Sequence, residues 1–351
     1  LVLLPAVAVL ANGQQEGADG EPEPVEIDWF VNETWFNRPW NLDRPVDQII
    51  TERTGVTVNF QSSGGQQEKL NTMIASGDLT DVMSMGWWYG QFQQLQGAGL
   101  LVALNEAIPE HSQQLWNETP QSMVDWYRHD DGNWYGYPNF TWAEEDLTGD
   151  NFLQSNAGFV AREDIMQELG IAPEDFQTQD GFIAALKKVQ EADYEYNGLS
   201  VSPFWMTTNG GMPGGFIWMD TFAITQEDDD GDLVDVRTQS RYLEHVLFLN
   251  RLYREGLISR ENFTIDRAQT QERLVSGRIF AMAANTADYQ NNYARLWQAD
   301  PGAKYVPVGP VRSESGVKPT FRATGTTGWL LSMISANSDN VDAVMRLWEF
   351  L

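Results

Sequence analysis

The sequence predicts an α/β protein that opens on a doubly wound lobe. Three observations carry this. Between Val25 and Gly86 the pattern runs strand, helix, strand, helix, strand, which is how such a sheet begins. A chain of 351 residues is long enough for two domains. Large rings follow the first and third strands, Trp35 and Phe36 after one and Trp87, Trp88 and Tyr89 after the other. Open α/β sheets bind ligands at that carboxyl edge.

The elements follow in order. Residues 25–31 alternate as a strand. Residues 45–54 place Val46, Ile49 and Ile50 on one helical face and stop at Gly55. Residues 56–60 alternate again. Leu70, Met73 and Ile74 form a helical stripe ended by Gly77, a residue to which a left-handed backbone costs little. A turn at 78–81 leads to the apolar strand 82–85. Residues 100–104 are apolar, and 132–138 read as a hairpin or crossing segment, with the first crossing between lobes at 137–152. Beyond it, strands are expected at 157–161, 199–203 and 278–283, an extended segment at 304–310, and an apolar strand at 325–333. Helices are expected at 162–169, 179–192 behind a Thr178 cap, 241–255, 270–276 and 338–351.

Composition narrows the function. Hydrophobic residues at 42% and charged residues at 21% fit a globular protein. Fifty acidic against 22 basic residues give a net charge of −28, which argues against nucleic acid and anionic membranes as partners. Cysteine is absent, which excludes disulfides, thiolate metal sites and a cysteine nucleophile. Residues 1–11 are an apolar run, too short to span a membrane and suited to the core of a signal peptide; 12–24 read as a polar, disordered start. Neither an initiating Met nor a basic segment precedes that run, so the chain reads as clipped there.

The motifs for chemistry are weak. Asp228, Asp230, Asp232 and Gly231 resemble half a calcium loop, but the twelfth position is Gln239 or Arg241 rather than an acid, so a solvated turn is the better reading. No metal or cofactor is expected. No G-x-S-x-G elbow, H-E-x-x-H motif or P-loop occurs. His245 lies inside an apolar helix and reads as a packed residue. Glu144, Glu145 and Asp146 beside Trp142 keep a secreted glycoside hydrolase open as an alternative. The rings are the stronger signal. Trp35, Trp87, Trp88, Trp205, Trp218 and Tyr289 all fall at expected strand ends. A flat ring covers the aliphatic face of a pyranose while Asn, Asp and Arg bond its rim. For any single Trp, packing in a core is the competing reading.

The residues also carry a resemblance. Residues 70–82, LNTMIASGDLTDV, are similar to the signature of extracellular solute-binding proteins of carbohydrate ABC transporters, with Thr80 where that family usually has Pro. Glu52 to Val56, Gly132 to Pro138, Arg162 to Asp164 with Leu169-Gly170, LNRLYREGLI at 249–258, and Val275 to Met282 resemble five further family segments in the same order. The nearest group is the family 1 oligosaccharide-binding, often lipoprotein, members; the lack of a cysteine near Ala11 departs from it and favours a free periplasmic form.

The resemblance implies a periplasmic-binding-protein-like fold, two doubly wound α/β lobes joined by hinge strands that close on an oligosaccharide. The expected lobes are 25–140 with 278–312, and 141–277 with 313–351. Family members run past residue 351, so a missing C-terminus is expected. It further implies a monomeric periplasmic or extracellular receptor that delivers its sugar unaltered to ABC transporter permease subunits, with a peptide or another solute as the alternative ligand. The residues expected to bind are Trp35, Trp87, Trp88, Tyr137, Trp142, Trp205, Trp218, Asn285, Asp288, Tyr289 and Arg322.

Overall fold

A computed structural model describes residues 24–33, 35–64, 67–142, 157–206, 216–228, 230–320 and 327–351. Its strands are β1 (Val25–Val31), β2 (Val56–Ser62), β3 (Val82–Gly86), β4 (Tyr137–Pro138), β5 (Ala157–Arg162), β6 (Glu195–Tyr196), β7 (Leu199–Ser200), β8 (Ser202–Met206), β9 (Ile279–Asn285), β10 (Tyr305–Val308) and β11 (Leu330–Ile334). The chain divides into two units, Leu1–Asn151 with Gly325–Leu351, and Phe152–Thr324.

The first unit is built on a five-stranded sheet in the order β2-β1-β3-β11-β4. β1 runs parallel to both β2 and β3, and β11 runs antiparallel to β3. Every residue of β3 is buried, as expected of a strand covered on both faces. Its side chains alternate between two cores. Val82 packs with Ile27, Val58, Ile108, Val344 and Leu347, while Met83 and Met85 pack with Phe30, Leu70, Phe92 and Leu331. Polar side chains tie the strands together as well. Trp29 Nε1 donates to Ser84 Oγ at 2.8 Å, and Ser84 Oγ lies 2.7 Å from Ser332 Oγ. Asp81 accepts from the Asp28 N–H at 2.9 Å and from Ser338 Oγ at 2.6 Å, joining segments far apart in sequence. The helix Pro45–Thr54 ends as expected, with Gly55 at φ 70° donating its N–H to Thr51 O.

The second unit carries a four-stranded sheet, β10-β5-β9-β8, in which only β8 and β9 run parallel. One face holds an aromatic core. Trp218 is fully buried and lies 5.0 Å from Phe159 and 5.8 Å from Phe248, ring centre to ring centre. His245 stacks on it at 5.8 Å with its two ring nitrogens lacking hydrogen-bond partners. Burial lowers its pKa from 6.5 to about 4. The imidazole is therefore neutral in the folded unit, whereas the unfolded chain takes up a proton below pH 6.5. Stability should fall as pH drops from 6.5 to 4, by about 3 kcal/mol in full. Denaturant titrations at pH 7, 5 and 4 test this. His245→Phe should abolish that part of the acid sensitivity, and parallel pH profiles for the two proteins would refute it.

Two expectations are corrected. Residues 278–312 do not join the first unit, because β9 is hydrogen-bonded between β5 and β8, and β10 pairs with β5. The end of the chain does not join the second. β11 sits between β3 and β4, and the helix Val341–Phe350 buries Val344 and Leu347 in the first core. The helices Gly90–Gly97, Gln113–Glu118 and Gln121–Trp126 escaped sequence reading. They are short and bury only one or two side chains each, too few to show a period.

Candidate functional site, an aromatic platform at one sheet edge

Three chain segments meet at one edge of the first sheet. β1 and β3 are parallel and end there. β11 is antiparallel to β3, with Leu330 opposite Gly86, so it begins there. β1 hands over to Asn32, Glu33 and Trp35, β3 to Trp87, Trp88 and Tyr89, and Trp329 precedes β11. The rings form a continuous set. Trp88 stacks on Trp329 at 5.8 Å and 24°, Trp35 meets Trp329 edge-on at 6.2 Å, and Trp87 meets Trp88 at 5.7 Å and 83°. Trp35, Trp87 and Trp88 are each about half exposed, at 46%, 52% and 51%. Apolar rings left half in solvent and in mutual contact make this edge a candidate binding surface rather than part of a core.

The rings are held from behind. Trp35 packs on Phe36 at 6.1 Å, and Phe36 on Phe60 at 5.0 Å. Trp35 Nε1 donates to Glu33 Oε2 at 3.1 Å. Asn139 Oδ1 accepts from the N–H groups of both Trp329 and Leu330 at 3.1 Å, and the Tyr127 hydroxyl donates to Gly328 O. Burial, and then the Glu33 carboxylate, raise the Tyr89 hydroxyl above its ordinary pKa. Asn32 is buried, and its Oδ1 has no hydrogen-bond partner.

Gly86 lets Trp88 lie where it does. A Cβ there would stand 2.5 Å from the indole, closer than atoms approach. Its backbone is not left-handed, so alanine is opposed by the ring alone. Gly86→Ala should keep the circular dichroism spectrum and weaken ligand binding roughly tenfold by tilting Trp88 off Trp329. Unchanged affinity by calorimetry would show that the stacked pair is not needed.

The other expected residues fall elsewhere. Trp205 and Trp218 are corrected, being 1% and 0% exposed. Trp205 packs with Leu274, Ile279 and Met282 under Arg273, whose guanidinium lies 5.2 Å away, and Trp218 centres the aromatic core. Tyr289 is buried in the same cluster as Trp205, which pushes its hydroxyl pKa up to about 12. Tyr137 packs between Trp134 and Trp348, with its hydroxyl 3.2 Å from Thr119 Oγ1. Trp142 is 42% exposed, just past the bridge from Thr141 to Thr327. Asn285 ends β9 with its Oδ1 enclosed and unpartnered, and Asp288 pairs with Arg267 at 3.4 Å. Arg322, Glu144, Glu145 and Asp146 lie outside the described residues. Sequence reading missed Trp329. It took 325–333 as one apolar strand, and only the antiparallel direction of β11 brings Trp329 to the edge that carries Trp35 and Trp88. Among the described residues no group of His, Cys, Asp and Glu could hold a metal ion, and no helix is long and apolar enough to cross a membrane.

Known proteins fit this picture. The profile of a family described as bacterial extracellular solute-binding protein matches residues 47–351. The S. pneumoniae ABC-transporter substrate-binding protein FusA, solved with kestose, is similar at TM-score 0.71 and 19% identity, over 93% of this chain and 66% of that one. The alginate-binding protein AlgQ2, solved without calcium, gives 0.67 at 20% identity over 94% and 67%. A Bacillus licheniformis sugar transporter protein in complex with stachyose gives 0.52 at 19% over 93% and 77%. At such identities the likeness is one of fold. Lipoprotein LipO of Bacillus subtilis (strain 168) is 26% identical over 208 residues, 56% of this chain and 39% of LipO. The chain thus spans about two fifths of LipO's length and about two thirds of FusA's.

Proposed function

Because the chain belongs to the bacterial extracellular solute-binding proteins, we propose that it captures an oligosaccharide and delivers it, chemically unchanged, to the permease of an ABC importer. One observation carries the ligand class: four indoles in mutual contact at the end of a mixed sheet where the parallel strands β1 and β3 finish, three of them about half exposed. Indole faces match the C–H faces of pyranose and furanose rings, and a row of them matches several sugar units. FusA with kestose and the B. licheniformis protein with stachyose share the fold and support the reading. Glu33 supplies a polar atom to the rings by accepting from Trp35 Nε1.

A thermal-shift screen over oligosaccharides, peptides and polyamines tests it, since a ligand that binds the folded state raises the midpoint. Oligosaccharides should raise the midpoint and quench tryptophan fluorescence, and mass spectrometry should recover them intact. A response to peptides alone, or recovery of cleaved sugar, would overturn the proposal.

A further inference from the structure

Resting on the oligosaccharide reading, we propose that a β-bulge aims Trp329 into the platform and that Asn139 is the positioning residue that locks it. The bulge shows in the register. Leu331 pairs with Pro138, and Thr327 with Thr141, both antiparallel. From Leu331 back to Thr327 is four steps, and from Pro138 on to Thr141 is three, so one extra residue sits on the Trp329 side. Trp329 and Leu330 together oppose Asn139. Asn139 Oδ1 accepts from both of their N–H groups at 3.1 Å, and the Asn139 N–H donates to Leu330 O at 2.9 Å. One side chain therefore holds both residues of the bulge. Just before them, the Gly328 N–H donates to Phe140 O at 2.8 Å, and the Tyr127 hydroxyl donates to Gly328 O.

A bulge bends its strand and re-aims a side chain. Unbroken alternation would put Trp329 on the face of Leu331 and Met333, which are fully buried in the core with Met83 and Met85. The extra residue releases Trp329 from that alternation, and its indole meets Trp88 at 5.8 Å and Trp35 at 6.2 Å. The lock needs a glycine and a short acceptor. A Cβ on Gly328 would overlap Asn139 Oδ1, and the Gly328 backbone is not left-handed, so a side chain there is opposed by the carboxamide and its own chain. Alanine at 139 would leave two N–H groups of the bulge without their acceptor. Aspartate keeps an acceptor oxygen in the same place.

Two measurements on the whole chain test this, one of them without ligand. Indoles this close couple their electronic transitions and give a paired band in circular dichroism. Trp329→Ala marks the part of that band that Trp329 contributes. Asn139→Ala and Gly328→Ala should each lose at least half of that part, and Asn139→Asp should keep most of it. Calorimetry with kestose, stachyose, maltotetraose and mannotetraose then reads the consequence. Asn139→Ala and Gly328→Ala should bind at least fivefold more weakly than the parent, and Asn139→Asp within about twofold of it. A parent-like band in Asn139→Ala, or an Asn139→Asp band as depleted as that of Asn139→Ala, overturns the lock. A lost band with unchanged affinity overturns the role of the lock in binding while the oligosaccharide reading stands. If the band behaves as expected and none of the four sugars binds the parent, the aiming of Trp329 stands and its assignment to a sugar falls.

Discussion

Replacing Trp88 by alanine should weaken oligosaccharide binding by about 2 kcal/mol, roughly thirtyfold in Kd. Trp88 contacts Trp87, Tyr89 and Trp329, so its removal takes away a stacking face and also frees its neighbours. Its indole is half exposed, so the fold should lose roughly 1 kcal/mol or less. Calorimetry and a thermal melt on one sample separate the two effects. Trp126→Ala is the control, since Trp126 is 75% exposed on the helix Gln121–Trp126 and should leave affinity unchanged. A Trp88→Ala protein that binds like the parent would exclude the platform as the binding surface.

Trp218→Ala should do the opposite. Trp218 is fully buried among Phe159, Phe182, Phe204, Phe222 and Phe248, and alanine would leave a cavity the size of an indole. Such changes cost about 3–5 kcal/mol, a large share of the stability of one domain. For a unit of this size that lowers the melting temperature by roughly 10 °C. Urea titration followed by circular dichroism measures it. Loss of sugar binding with less than about 1 kcal/mol of destabilisation would show that this indole serves a ligand and that its burial has been misread.

The contrast between Trp88 and Trp218 shows what was legible in the chain. In the sequence both read as rings at strand ends. What separates them is the packing of distant segments. Trp218 lies on the helix Phe216–Thr221, which lays it against rings from Phe159 to Phe248. Trp88 is kept outside by a glycine strand end and a partner ring 241 residues later in the chain. Period and punctuation are local, so the strands and helices of 25–86 were readable. Pairing is not local. The assignment of β9 and β11 to units therefore failed, and Trp329 went unnoticed for the same reason.

The late arrival of β11 has a consequence for biosynthesis. Each strand of the second unit leaves the ribosome before Leu330 does. Until Leu330–Ile334 emerges, β3 is the rim of an unfinished sheet, five buried-type residues with one row of amide and carbonyl groups unsatisfied. Such a rim invites strands from other chains. A translational pause between Val308 and Leu330 would prolong that hazard, and a holdase bound to the nascent chain would relieve it.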